Sequence, residues 1–141
     1  MTALQTIAVG FDGSPDSTVA ARWAFDLARR VGADIVLVHA VGMLGHLHQG
    51  DATLDLATLG NQLIEESAIS PERVRWHVDD GDACSVLMRA MREPVSADLL
   101  VVGTRGRGDR SGILLGSTSL ELAQHATFPL VIVPREDVVL R

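Results

Sequence analysis

The chain has 141 residues, of which 47% are hydrophobic and 21% charged, and its formal net charge is −6. This is a globular composition that excludes disordered and collagen-like chains, and it lacks the clustered positive charge on which nucleic-acid binding rests. All 12 basic residues are arginine, which removes a Schiff-base lysine, a lysine general base and the lysine of a GxxxxGK[ST] phosphate loop. The single cysteine, Cys84, excludes an internal disulfide framework and a multi-cysteine zinc site, and suits a reducing compartment. One domain over residues 1–141 is expected. No apolar run approaches the roughly 18 residues of a membrane span. The first basic residue is Arg22, so the N-terminus lacks the charged start of a signal peptide, and a cytoplasmic protein without a membrane partner is expected.

Ile7-Ala8-Val9 opens the chain as an apolar run of the kind found in strands covered on both faces. A helix over 15–31 follows, with Val19, Ala20, Trp23, Ala24, Leu27, Ala28 and Val31 forming one apolar stripe at helical spacing. Ser14 is its N-cap, Pro15 and Asp16 suit its first turn, and Gly32 closes it. Ile35-Val36-Leu37-Val38 is the second covered strand. After a loose stretch at 42–50, a helix is expected over about 52–69. Val74-Arg75-Trp76-His77-Val78 alternates with period two, as a strand at a sheet edge does. A helix over about 83–92, with Ala83, Val86, Leu87, Ala90 and Met91 inward, leads to the covered strand Leu99-Leu100-Val101-Val102. A last helix over about 117–126 precedes the strand Leu130-Val131-Ile132-Val133.

The order βαβαβαβαβ with right-handed crossovers gives an α/β, doubly wound, Rossmann-like or flavodoxin-like parallel sheet of five strands, order 3-2-1-4-5, with helices on both faces. Ligands in such folds sit beyond the carboxyl ends of the strands where the order reverses, here between strands one and four. Strand one runs into Gly10-Phe11-Asp12-Gly13-Ser14. Strand four runs into a segment with four glycines and three arginines between Gly103 and Gly112, followed by Gly116-Ser117-Thr118-Ser119 at a helix start. Glycines let the backbone come close to a ligand, and the free N–H groups of a helix start favour an anion. Phosphate is the guest this composition suits, although a glycine-rich loop of purely structural purpose and an Asp12 that caps a turn fit the same spacing.

The pattern Gly103-x-x-Gly106, nine residues, Gly116-Ser117 resembles the G-x2-G-x9-G-[S/T] nucleotide signature of the universal stress protein family. The likeness extends over nearly the whole chain, through Val9-Gly10-Phe11-Asp12-Gly13-Ser14, Leu37-Val38-His39-Ala40, Leu114-Leu115-Gly116-Ser117 and Pro129-Leu130-Val131-Ile132-Val133. The resemblance implies the ATP-binding subgroup, in a protein that acts as a nucleotide-dependent switch or sensor in a stress response. It implies a site at Gly10, Phe11 and Asp12, with Asp12 on the adenosine. The main chain of Ala40 would hold the adenine edge, and Gly103, Arg105, Gly106, Gly116, Ser117, Thr118 and Ser119 the ribose and phosphates. ATP is the implied cofactor, with magnesium or manganese as companion and AMP or cyclic AMP as alternatives. The segment 42–51 departs from any defined pattern.

A slow ATPase or autokinase using Ser117 is the enzymatic alternative, but only Asp12 offers itself as a base. Strand five is apolar on both faces yet ends the sheet, and an open apolar edge invites another chain. A homodimer paired along Leu130, Val131, Ile132 and Val133 is expected, and the resemblance points the same way; a protein partner stays unidentified. His46 and His48 lack an evident third metal ligand. His39 reads as a packed, hydrogen-bonded histidine, Asp82 as a helix cap in an acidic turn without EF-hand spacing, and Cys84 as a small buried hydrophobe.

Overall fold

Strands of four to eight residues alternate with helices along the chain: β1 (Thr6–Gly10), α1 (Pro15–Val31), β2 (Asp34–Val41), α2 (Gln49–Ser67), β3 (Val74–Asp80), α3 (Ala83–Ala90), β4 (Leu99–Gly103), α4 (Ser117–His125) and β5 (Leu130–Val133). The structure, a computed structural model, describes residues 3–42, 49–104 and 115–135, with 49–54 described as helical backbone only. All five strands are parallel, in the order β3-β2-β1-β4-β5. This is the doubly wound sheet expected from the alternation of covered strands and helices. Helix α2 begins at Gln49, so the loose stretch expected at 42–50 is partly helical; residues 43–48, which include His46 and His48, lie outside the described residues.

Alternate residues of each strand feed two cores. Ile7, Val9, Ile35, Leu37, Leu99, Val101 and Val133 pack under α1 and α2, while Ala8, Val36, Val38, Leu100 and Val102 pack against α3 and α4. Because β1, β2 and β4 lose both faces to helices, their side chains are apolar without alternation. The edge strand β3 turns Val74 and Trp76 toward the first core and leaves Val78 exposed. Trp76 lies tilted on Phe11, with ring centroids 6.0 Å apart, a pairing worth roughly 0.5–1.5 kcal/mol beyond its area. Its indole also fills the space a Cβ at Gly60 of α2 would take. A side chain at Gly60 is therefore excluded by Trp76.

Helix α1 corrects one expectation. Its sheet-facing surface is Ala20, Ala21, Ala24, Phe25 and Ala28, while Trp23 and Val31 remain 41% and 49% exposed. Small side chains bring the helix axis close to the sheet and rotate the larger residues of the expected stripe to its flank. The caps are as expected: Ser14 Oγ accepts from Ser17 N at 3.2 Å, and Asp82 Oδ1 accepts from Ser85 N at 3.0 Å. The Ser85 N–H and hydroxyl hold the Asp82 carboxyl below its usual range. Beside it, the Asp80 N–H and Arg89 do the same for Asp79. The acidic turn is thus a helix cap and an ion pair.

Cys84 is buried in the second core, 3.7 Å from Met88 Sδ. Burial, with the Glu121 carboxylate adding to it, pushes its thiol up to about 11. Alkylation of native protein by iodoacetamide at pH 8 is expected to be at least ~100-fold slower than that of unfolded protein, since the thiolate is the nucleophile. A folded-state value above the unfolded one also means that the stability tied to this thiol is whole below pH 9 and declines as pH rises toward 11. Labelling of native and denatured protein at one rate would defeat this.

Candidate functional site

The carboxyl ends of β1 and β4 adjoin at the point where the strand order reverses. Beyond β1, the Phe11 N–H continues the ladder to Val38 O at 2.9 Å, and its ring is buried against Trp76. Phe11 therefore carries the loop and turns no ring toward a ligand. Its carbonyl lies 3.3 Å from His39 Nδ1; a carbonyl can only accept, so that nitrogen carries the hydrogen. His39 is the packed, bonded histidine expected. Asp12 is half-buried and accepts the Ser14 N–H on Oδ1 at 2.9 Å, a local turn that leads straight into the α1 cap. Ala40, half-buried at the end of β2, stands one strand away.

Beyond β4, Thr104 is the junction. Its carbonyl accepts the Gly116 N–H at 2.6 Å and the Ser119 hydroxyl at 2.7 Å, so the two ends of the connection between β4 and α4 are clasped together. Ser119 is buried and its hydroxyl is used inside the protein. Gly116 is the N-cap of α4 and offers no side chain to the first amides of the helix, whereas α1 and α3 carry Ser14 and Asp82 in that place. Ser117 is exposed and Thr118 half-buried on that first turn. An uncapped helix start presents N–H groups and the positive end of the helix dipole to whatever anion approaches. Arg105 and Gly106, with the rest of 105–114, lie outside the described residues.

Two features were not legible in the sequence. Gly103, read there as a ligand contact, lies against α1: a Cβ on it would stand 2.5 Å from the Asp16 carbonyl oxygen and 2.7 Å from its carbon. Gly10, by comparison, would meet only the Leu87 and Val102 side chains at 3.2 Å. The second feature is Asp16 itself, whose side chain is 4% exposed. Its carboxylate accepts the Thr104 hydroxyl at 2.7 Å and pairs with Arg135 Nε at 3.2 Å. Burying an ion costs several kcal/mol, which these partners and the first turn of α1 offset. Among the described residues no cluster of three or more His, Cys, Asp or Glu is placed to hold a metal ion, and no helix is long and apolar enough to cross a membrane.

These loops on this sheet define a doubly wound α/β protein with an uncapped helix start past the end of β4. The sequence model of the universal stress protein family matches residues 3–134, and the chain belongs to that family. It is 34% identical over 134 residues to a universal stress protein of Mycolicibacterium smegmatis, covering 90% of this chain and 45% of that one. It is 29% identical to universal stress protein Rv2005c of Mycobacterium tuberculosis, covering 89% of this chain and 44% of that one. The chain thus spans about half the length of these relatives. Among solved structures, hypothetical protein MJ0577 superposes with a TM-score of 0.76 at 16% identity, over 96% of this chain and 99% of that one. A universal stress protein in complex with cAMP superposes with a TM-score of 0.73 at 27% identity, over 96% of this chain and the whole of that one.

Proposed function

We propose that the chain binds an adenine nucleotide across the carboxyl ends of β1 and β4 and serves as a cytoplasmic nucleotide-dependent switch in a stress response. The observation that carries this reading is the Thr104 clasp, which holds the uncapped start of α4 to the end of β4, the sheet neighbour of the strand that runs into the Asp12 loop. In this reading Asp12 meets the adenosine and the Ala40 main chain the adenine edge. Gly10 and Phe11 contribute backbone, and Gly103, Arg105, Gly106, Gly116, Ser117 and Thr118 surround the ribose and phosphates. Ser119 holds the clasp rather than the ligand. The complex of a 27% identical relative with cAMP supports an adenine nucleotide, while the signature spacing and the three arginines favour ATP, with or without magnesium or manganese. The fold is read as one domain over 1–141, paired with a second copy along β5. Relatives of about twice this length leave room for such a second unit in one chain.

Mass spectrometry of nucleotide released from purified protein identifies the ligand, and titration calorimetry with ATP, AMP and cyclic AMP tests the residues. Losing a hydrogen bond to a charged phosphate costs roughly 1.5–3 kcal/mol, so Ser117→Ala is expected to weaken ATP about 10- to 150-fold. Gly106→Val is expected to abolish binding in a folded protein, and Arg105→Ala to weaken ATP more than AMP, with the difference shrinking as salt rises. Parent-like affinity in all three variants would defeat the reading. An ATPase or autokinase using Ser117 is the lesser alternative, because phosphoryl transfer also needs metal ligands and a positioned nucleophile, and Asp12 is the one base the sequence offers there. Turnover far below about 1 s⁻¹ is expected; rapid phosphate release in a single-turnover assay would restore the enzyme.

A further inference from the structure

Asp16 stands out among the charged side chains because its two carboxylate oxygens reach different parts of the chain. Oδ2 accepts the hydroxyl of Thr104, the first residue past β4. Oδ1 pairs with Arg135, the second residue past β5. A capping or dipole role for an acidic residue in the first turn of a helix needs neither partner, and it needs no burial. The Thr104 side chain is β-branched and therefore stiff. Fixing its hydroxyl on Asp16 also fixes the peptide that follows, whose carbonyl takes both Gly116 N–H and Ser119 Oγ. One continuous run of bonds therefore leads from the exit of β5, through Asp16, to the two ends of the connection between β4 and α4.

We propose that Asp16 and Arg135 are positioning residues of the site: the pair orients Thr104 so that its carbonyl clasps the start of α4, and it makes that clasp depend on the segment leaving β5. Removing Arg135 takes a cationic partner from the buried carboxylate and loosens its hold on the Thr104 hydroxyl. The Gly116 amide then loses its aligned acceptor. Because β5 is the last strand of the sheet, whatever pairs with that edge and moves Pro134 and Arg135 acts on the same carboxylate. By linkage, a ligand that favours the closed clasp favours that pairing in return. The consequence for ligand affinity rests on the nucleotide reading above, whereas the clasp itself does not.

Amide hydrogen exchange on ligand-free parent, Arg135→Gln, Arg135→Lys and Asp16→Asn reads the clasp directly. Exchange at Gly116 and Leu120 is expected to be at least ~10-fold faster in Arg135→Gln and Asp16→Asn, with partial restoration in Arg135→Lys and no change at Val86 in α3. Calorimetry is expected to find ATP about tenfold weaker in Arg135→Gln at unchanged circular dichroism, a loss of about 1.4 kcal/mol. If Asp16→Asn fails to fold, Arg135→Gln carries the test, since Arg135 is 28% exposed. Parent-like exchange at Gly116 overturns the proposal whether or not ATP binds. Faster exchange spread evenly over α1, α3 and α4 also overturns it, as the mark of a pair that only stabilises the fold. Parent-like ATP affinity with faster exchange overturns the positioning role. A parent that binds no nucleotide, in the presence of faster exchange in the variants, defeats the nucleotide reading and leaves the clasp standing.

Discussion

Gly103→Ala is expected to destabilise the fold by about 3 kcal/mol, lowering the melting temperature by about 10 °C. The added methyl would stand 2.5 Å from the Asp16 carbonyl oxygen and 2.9 Å from the Asp16 Cβ. The obstacle is helix backbone, which cannot swing aside as a side-chain tip can. Nor is α1 free to retreat. Its start is held by the Ser14 cap, by the Thr104 hydroxyl on Asp16 and by the Arg135 ion pair. Two other glycines calibrate the effect. Gly10→Ala meets the ends of Leu87 and Val102 at 3.2 Å and is expected to cost about 1 kcal/mol, and Gly42→Ala meets nothing within 4 Å and is expected to be nearly neutral. Thermal unfolding of the three variants checks the order. A Gly103→Ala protein that melts with its parent but binds nucleotide poorly would return this glycine to a ligand role alone.

Gly103 also illustrates where sequence reasoning stops. A glycine after a strand signals that some atom comes close, without saying whether that atom belongs to a ligand or to the next helix. The strands were legible because a sheet covered on both faces selects apolar residues at every position, and β3 announced its edge by alternating. The start of α1 was legible because capping is local. Its buried face was misjudged at Trp23 and Val31, since periodicity weights size while the sheet selected the alanines for close approach. Asp16 and Arg135 could not be paired from sequence, because the contact depends on the first turn of α1 meeting the segment that leaves β5. The burial of Ser119 likewise follows from the Thr104 carbonyl, which no spacing rule places. Gly60 and Trp76 tell the same story across α2 and β3. What a local rule or a periodicity carries can be read in advance; what two distant elements decide between them cannot.

Ile132→Pro is expected to convert the proposed homodimer to monomer while Ile132→Ala leaves it paired. The Leu100 N–H bonds to Pro129 O at 3.1 Å, and Leu100 registers with Leu130. In a parallel ladder this turns the N–H groups of Val131 and Val133 toward β4 and those of Leu130 and Ile132 toward the open edge. Proline at 132 therefore removes an edge donor and spares the ladder. In a two-fold pairing each protomer loses one such bond, about 2 kcal/mol together, and the dimer should dissociate about 30-fold more readily before the clash of the ring is counted. Charged residues at Val131 and Val133 are a poorer test, since Val133 is 7% exposed and belongs to the core under α1. Trp23 supplies an optical signal. Arg22 and Arg29 reach across to α2 at Glu66 and at the Ser67 carbonyl. At 100° per residue, Trp23 then falls on the opposite flank of α1, the side nearer β5, with Val19 and Leu27. Pairing along β5 would bring a second copy toward that indole, so dilution through the dimer range should shift its emission to the red in parent and Ile132→Ala, and leave Ile132→Pro already shifted. A dimeric Ile132→Pro by light scattering would move the interface away from β5, and a parent that is monomeric at every concentration would remove it altogether.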